Sequence, residues 1–194
     1  LDDGKFGFAY LVDVNSADTA IKNALSIARM SPSVPGFVLP SAQSAQQVSD
    51  LYDSSVVDMS SEDLLIQADD IISEVASLDK RAVVTGGGIG VSANASAIFS
   101  SEGVDAAGVT TSHGVGVQVS IDEGGQLTSS WQSKSSRSKI TQANECVARA
   151  VQWANLTRDP IKVETSGNDS VVMMTSEGFS PVSYTHLTLP TKVE

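Results

Sequence analysis

The sequence predicts an α+β fold, an antiparallel sheet meander with packed helices, on three observations. Runs of apolar residues at spacing two follow one another with tight Gly-containing turns between them. Three other segments repeat their apolar residues at helical spacing. The resulting order of strand, helix, loop, helix, several strands, helix and strand keeps successive strands adjacent, as antiparallel sheets require. With 194 residues the chain holds one domain or a little more.

The first element is an alternating run, Gly4-Lys5-Phe6-Gly7-Phe8-Ala9-Tyr10-Leu11-Val12, which predicts a half-buried strand with Phe6, Phe8, Tyr10 and Val12 on one side. Asn15 or Ser16 then caps a helix carrying Ala20, Ile21, Ala24, Leu25 and Ala28, and Pro32 stops it. No period survives from Ser31 to Asp58, where Pro32, Pro35, Pro40 and a Ser/Gln-rich patch predict a linker. Ser60-Ser61-Glu62-Asp63 reads as a helix start, followed by Leu64, Leu65, Ala68, Ile71, Ile72 and Val75 on one face, with Asp63, Asp69, Asp70 and Glu74 on the other, in water.

Beyond Lys80-Arg81 the period changes to two. Ile89, Val91, Ala93, Ala95, Ala97 and Phe99 share one side of a strand, and Glu102-Gly103 supplies a turn. Val115, Val117, Val119 and Ile121 follow at the same spacing, ending at Glu123-Gly124-Gly125, and a polar strand runs from Gln126 to about Lys134. Thr141 is placed to cap a third helix with Val147, Ala150, Val151 and Ala154 inside, closing before Asp159-Pro160. Short strands are expected at Ile161–Val163 and Val171–Met174, joined through a Ser166-Gly167-Asn168 turn.

Twelve Lys and Arg against 23 Asp and Glu give a net charge of -11, which disfavours binding to nucleic acid phosphates. No apolar run approaches the roughly 18 residues of a membrane-spanning helix, and no signal peptide is visible, so no membrane partner is expected. Cys146 is the only cysteine, which removes a disulfide framework and a thiolate metal cluster and suggests a cytoplasmic setting. The run Val182-Ser-Tyr-Thr-His-Leu-Thr-Leu-Pro-Thr191 looks like a translated sequencing adaptor, and the chain is expected to be an internal fragment.

Few residues could carry chemistry. The run Gly86-Gly87-Gly88-Ile89-Gly90 lacks the Gly-Lys-Ser/Thr ending of a phosphate loop and leads into a strand, so it reads as a glycine-rich turn or bulge. His113 is the one histidine outside the tail, and by itself reads as a surface or satisfied packing residue rather than a base. Cys146, beside Glu145, has no electropositive setting and is expected to be buried and inert. Neither HExxH nor HExxxH occurs, and one His with one Cys cannot fill a zinc site. Asn94, Asn155 and Asn168 sit in N-x-S/T triplets of the sort Ser-rich chains contain by chance. No catalytic, cofactor-binding or metal residue is therefore assigned.

Taken in order, these pieces resemble the N-terminal region of the TldD/PmbA (TldE) family of metallopeptidase-related proteins. The features that carry the resemblance are the Gly4 to Ala9 run with its Ala-rich helix, the Pro-containing link and the acidic helix ending Leu78-Asp79-Lys80-Arg81. They continue in the Gly86 to Gly103 and Val109 to Ser120 strands, the polar strand through Ser135-Ser136-Arg137, and the helix Ala143 to Leu156. The Gly86-Gly87 and Ser112-His113-Gly114 region is slightly nearer to the PmbA-like subunits, which lack the catalytic motif.

The resemblance implies a cytoplasmic peptidase, two-subunit or homodimeric, that processes peptides. In that family a HExxxH helix of the following domain holds the zinc, so this chain would be an inactive scaffold fragment without a cofactor of its own. Its partners would be a second TldD/PmbA-type subunit or a second copy, and a peptide substrate in the full-length protein. The implied organisation is residues 1–31 as the remainder of a first N-terminal α/β subdomain, 32–58 as a Pro/Ser/Gln-rich linker and 59–158 as a second α+β subdomain. Residues 159–181 would start a truncated C-terminal domain, and 182–194 would be a non-native tail. The alternative is a non-enzymatic β-rich binding or surface-interaction module, suggested by Ser/Thr/Gly-rich strands and acidity. Under the fragment reading, association is expected through strands near Val115 to Ile121 or through Val171 to Met174.

Overall fold

Ser60 opens the longest helix among the described residues by a reciprocal cap, and the sheet is laid against that helix and one other. The computed structural model describes residues 4–43, 48–159 and Met174, and the chain divides into two units, Leu1–Arg158 and Asp159–Glu194. All elements below belong to the first unit. The expected strands at 161–163 and 171–174, their connecting turn and the tail lie, Met174 aside, outside the described residues.

Among the described residues the helices are α1 (Ala17–Met30), α2 (Ser54–Val57), α3 (Ser61–Leu78) and α4 (Asn144–Leu156). The strands are β1 (Ala82–Phe99), β2 (Asp105–Glu123) and β3 (Gln126–Ser136), an antiparallel meander in the order β1-β2-β3. The fold is therefore the α+β meander that the sequence predicts. Ser60 Oγ accepts from the Asp63 N–H at 3.2 Å while the Asp63 carboxylate accepts from the Ser60 N–H at 2.8 Å, which satisfies donors that the first turn leaves unpaired. Gly124 and Gly125 both take positive φ, 64° and 83°, which lets two residues turn β2 into β3 with the right twist.

The core lies on one face of the sheet. Val115, Val117, Val119 and Ile121 of β2 are buried against Ile71 and Val75 of α3 and Cys146, Val147, Ala150 and Ala154 of α4. Burial of each large side chain here contributes roughly 1.5–3 kcal/mol. The α4 inner face matches the helical spacing read from the sequence, but its N-cap is Ala143 without a side-chain bond, not Thr141. Ala143 is itself part of the core, so packing places the helix start where capping chemistry alone puts it two residues earlier.

Four local expectations change. Residues 6–12 form no strand: Phe8 is 78% and Tyr10 87% exposed, because a strand needs a neighbour to satisfy its backbone and none of the described residues pairs with this run. Gly7 instead lies against α1, so close that a Cβ would clash with the Ala24 carbonyl oxygen, and Phe6 stacks on Phe37 at 5.2 Å. On α1 the apolar face is only partly covered: Ala20 and Ala28 are buried while Ile21 and Leu25 are exposed.

Residues 51–58, unpatterned in sequence, are ordered by Asp53, which caps α2 by accepting from the Ser55 N–H at 2.9 Å and so buries Val56 completely. Of the two readings of the glycine run, turn or bulge, the structure bears out the bulge: the run lies within β1, whose register shifts between Val84 and Gly86. Finally, Val115 to Ile121 cannot serve as an association surface. They sit on the central strand, paired on both sides, with Val115, Val117, Val119 and Ile121 buried.

Candidate functional site

Helix α3 carries a wider apolar stripe than the sheet beneath it covers. Ile71 and Val75 point into the core, but Leu65 is 67% and Ile72 51% exposed, overhanging the outer edge of β1. Between the overhang and the strand runs an open groove of about 620 Å³ with Leu64, Leu65, Ala68 and Ile72 as wall and Val84, Gly86–Gly88 and Ile89 as floor. Gly87 is glycine for a packing reason: its φ is 148°, and a Cβ there would lie 2.5 Å from the Gly116 carbonyl oxygen, whereas a Cβ at Gly88 would meet nothing within 4 Å. The lining contains no titratable side chain, so the groove offers shape, apolar surface and a strand edge, which suits binding an extended chain and not acid–base chemistry.

His113 is a structural group. Its ring is fully buried, with Nδ1 accepting the Ile140 N–H at 2.9 Å and Nε2 3.0 Å from the Gln67 Oε1. An Nδ1 that accepts carries no proton, so the neutral ring donates from Nε2 to Gln67. Gln67 closes the ring of contacts by donating from Nε2 to the Ile140 carbonyl at 2.9 Å. Burial first, and the Lys139 charge second, push the His113 pKa below its ordinary value. With both ring nitrogens engaged, His113 is the satisfied packing residue of the two readings left open above and has no nitrogen to offer substrate or metal.

Two further polar nodes hold the same unit together, and neither has a signature in the sequence. Asp53 Oδ2 accepts the Lys139 N–H at 3.0 Å, and Thr111 Oγ1 accepts the Asp53 N–H at 3.0 Å, so the segment before α2 is tied both to β2 and to the lead-in of α4. The Ser55 hydroxyl, followed by the Lys139 and Ser55 N–H groups, holds the Asp53 carboxyl below the usual range. At the opposite end Arg81 grips Asp79 through two nitrogens, at 3.0 and 2.7 Å, and reaches Glu123 at 2.6 Å, which Arg158 also meets at 2.7 Å. Hydrogen bonds from Arg81 hold the Asp79 carboxyl far below the ordinary carboxylate range. Only the tertiary fold brings Asp79, Arg81, Glu123, Asn155 and Arg158 together.

The remaining candidates separate. Cys146 is buried in the core. Asp69 and Asp70 face water, Asp63 serves the α3 cap and Glu74 is half-buried. Asn94 is exposed on β1, Asn155 bonds to Asp79 at 3.1 Å, and Asn168 lies outside the described residues. Among the described residues no three His, Cys, Asp or Glu side chains are grouped to hold a metal ion, and no helix is long and apolar enough to cross a membrane. The described residues therefore do not fit a zinc ion.

No family model and no curated protein matches this sequence. Solved structures do. TldE from Thermococcus kodakarensis aligns with a TM-score of 0.72 at 22% identity, over 80% of this chain and 36% of that one. A proposed modulator of a DNA gyrase from Thermotoga maritima aligns at 0.69 and 15% identity, over 80% and 35%. A proposed modulator of DNA gyrase from Bacteroides thetaiotaomicron aligns at 0.71 and 20% identity, over 84% and 39%. The structural neighbours thus include a protein of the family that the sequence resembles, and at these identities the likeness is one of fold. The chain spans a little over one third of each neighbour's length.

Proposed function

We propose that this chain is the N-terminal scaffold part of a TldD/PmbA-like peptidase subunit, with no catalytic residue of its own. The observation that carries the reading is the fold likeness to TldE over 80% of the chain, joined to the sequence features that resemble the same family along the same stretch. In this reading the zinc and its HExxxH helix belong to a following domain of the catalytic subunit. The scaffold contributes sheet and helix surface against which a peptide is held and a second subunit docks. A groove without titratable groups and a histidine committed to packing agree with a binding role. The setting is cytoplasmic, and with a net charge of -11 no nucleic acid partner is proposed.

The deciding experiment is to sequence the source DNA beyond the codon for Pro181. A continuing frame with a TldD-type HExxxH helix, or a PmbA-like domain lacking it, is the expected result. A frame that repeats the strand unit would instead support a β-rich binding module, the reading that the uncovered half of the β1–β2 hairpin favours. Purified protein is expected to retain no stoichiometric zinc after dialysis and to cleave no unstructured peptide. Peptidase activity abolished by His113→Ala with the fold intact would sink the scaffold reading.

A further inference from the structure

We propose that residues 137–140, the strap that leads from β3 toward α4, form an acid-released latch with His113 as its trigger. The inference takes nothing from peptidase chemistry and stands or falls separately from the scaffold reading.

The strap is held by side chains and not by a ladder. Thr111 Oγ1 donates to the Arg137 carbonyl at 2.6 Å, and the Asp53 carboxylate accepts the Lys139 N–H at 3.0 Å. His113 Nδ1 accepts the Ile140 N–H, and Gln67 Nε2 donates to the Ile140 carbonyl, each at 2.9 Å. These holders come from β2, from the segment before α2 and from α3, so the strap is where three parts of the fold are joined. Past it, α4 begins at Ala143 without a side-chain cap, and its first turn depends on packing and on what precedes it.

Of the four holders only His113 changes charge between pH 7 and 5. Thr111 and Gln67 do not titrate, and Asp53, held below the usual carboxylate range, stays ionised. The closed strap requires an Nδ1 that carries no proton. Protonation sets a second donor against the Ile140 N–H, while Gln67 Oε1 is already occupied by Nε2. A buried N–H is then left without an acceptor. The ring stands on a strand paired on both sides, with Val91 and with Ser136, so the strap is the part free to lift.

The surrounding charges do not rescue the imidazolium. Lys139, on the strap itself, disfavours a second positive charge beside it. The carboxylates on this side, Asp53 and Asp63, bond to Ser55 and the Lys139 N–H and to Ser60, and Asp70, one turn past Gln67, is exposed. Arg137 bonds to the Thr111 carbonyl at 3.2 Å, and Lys134 of β3 is exposed. Helix α4 brings Ala143, Cys146 and Val147 to the core, and β1 carries no charged residue. An opened strap lets His113 take its proton at the ordinary value of about 6.5, so opening grows as pH falls below that, by up to about tenfold per pH unit. Lifting the strap uncovers Ile140 and loosens Asp53, whose cap on α2 keeps Val56 buried.

Amide hydrogen exchange on the full 194-residue chain, read residue by residue by NMR from pH 7 to 5 and corrected for intrinsic rates, tests this. Protection at Lys139 and Ile140 should fall by up to about tenfold per pH unit below 6.5, at rates that low urea leaves unchanged, as in a local opening. Val117 and Val119 at the centre of β2 should stay at least about tenfold better protected and respond to urea. In His113→Asn the amide oxygen stands near the place of Nδ1 and accepts without titrating, so strap protection should be flat over the same range. Should that variant not fold, the wild-type ring still decides: its ¹⁵N shifts at pH 7 should show the proton on Nε2. A proton on Nδ1, strap protection independent of pH in the wild type, a slope that persists in His113→Asn, or Ile140 exchanging at the rate and urea dependence of Val117 would each overturn the proposal.

Discussion

The β1–β2 hairpin is one continuous ladder from Ala82↔Ile121 to Phe99↔Asp105, yet its two halves live in different environments. In the proximal half β2 is flanked by β3 from His113 to Glu123, and α3 and α4 cover one face. In the distal half every β1 residue from Ser92 to Phe99 and every β2 residue from Asp105 to Val109 is exposed. Roughly 25 Å of two-stranded ribbon thus extends past the last pairing with β3. Two strands without a covered face are marginal in water, so the ribbon borrows its order from the ladder it continues and from the Ala42 N–H that the Glu102 carbonyl accepts at 3.1 Å. Identical strand geometry therefore does not imply equal stability: cover decides that.

The sharpest way to break the comparison is to truncate one apolar side chain in each half. Ile121→Ala removes a fully buried group and should cost about 2–5 kcal/mol in urea unfolding, while Ile98→Ala in the ribbon should stay within about 0.5 kcal/mol. Equal costs would mean that the ribbon is covered in solution.

Glycines give the next test. Gly87→Ala forces a Cβ against the Gly116 carbonyl at an unfavourable φ and should destabilise by roughly 1–3 kcal/mol. Gly108→Ala, with nothing within 4 Å of the new carbon, should stabilise by about 0.5 kcal/mol through reduced freedom of the unfolded chain. Thermal unfolding of the pair should move in opposite directions.

Protonation separates the halves more gently. His113 has a lowered pKa when folded, so the unfolded chain binds the proton more readily. Its contribution to stability is present above the ordinary value of about 6.5 and is lost as pH falls below it, at no more than about 1.4 kcal/mol per pH unit. In His113→Gln that slope should flatten below about pH 6.5, the ordinary histidine value at which the unfolded chain takes up the proton. The ribbon holds no histidine, so no such slope arises from it.

The smallest effect is expected from Arg81→Gln. Its ion pairs with Asp79 and Glu123 are partly exposed, so their loss should lower the thermal midpoint only slightly, and less at high salt.

Repeated patterns were legible in the sequence. The periods of α3 and α4, the capping pair Ser60 and Asp63, the three-strand meander and its Gly124-Gly125 turn follow from local spacing and turn chemistry, as the structure bears out. Such features depend on a residue and its near neighbours, which a sequence displays directly. Tertiary structure decided what each face meets. Whether Phe6 to Val12 is a strand, how far the α3 stripe is covered and which part of β1 is bare depend on distant partners.

The same reason hid Gln67, Asp53 and Arg81. Each is an ordinary polar residue locally and becomes a node only when β2, the lead-in of α4 or the end of α4 arrives beside it. His113 shows both limits at once. Its residue type marked it for attention, but its role rests on two bonds, to groups 46 and 27 positions away, that only folding could bring within 3.0 Å.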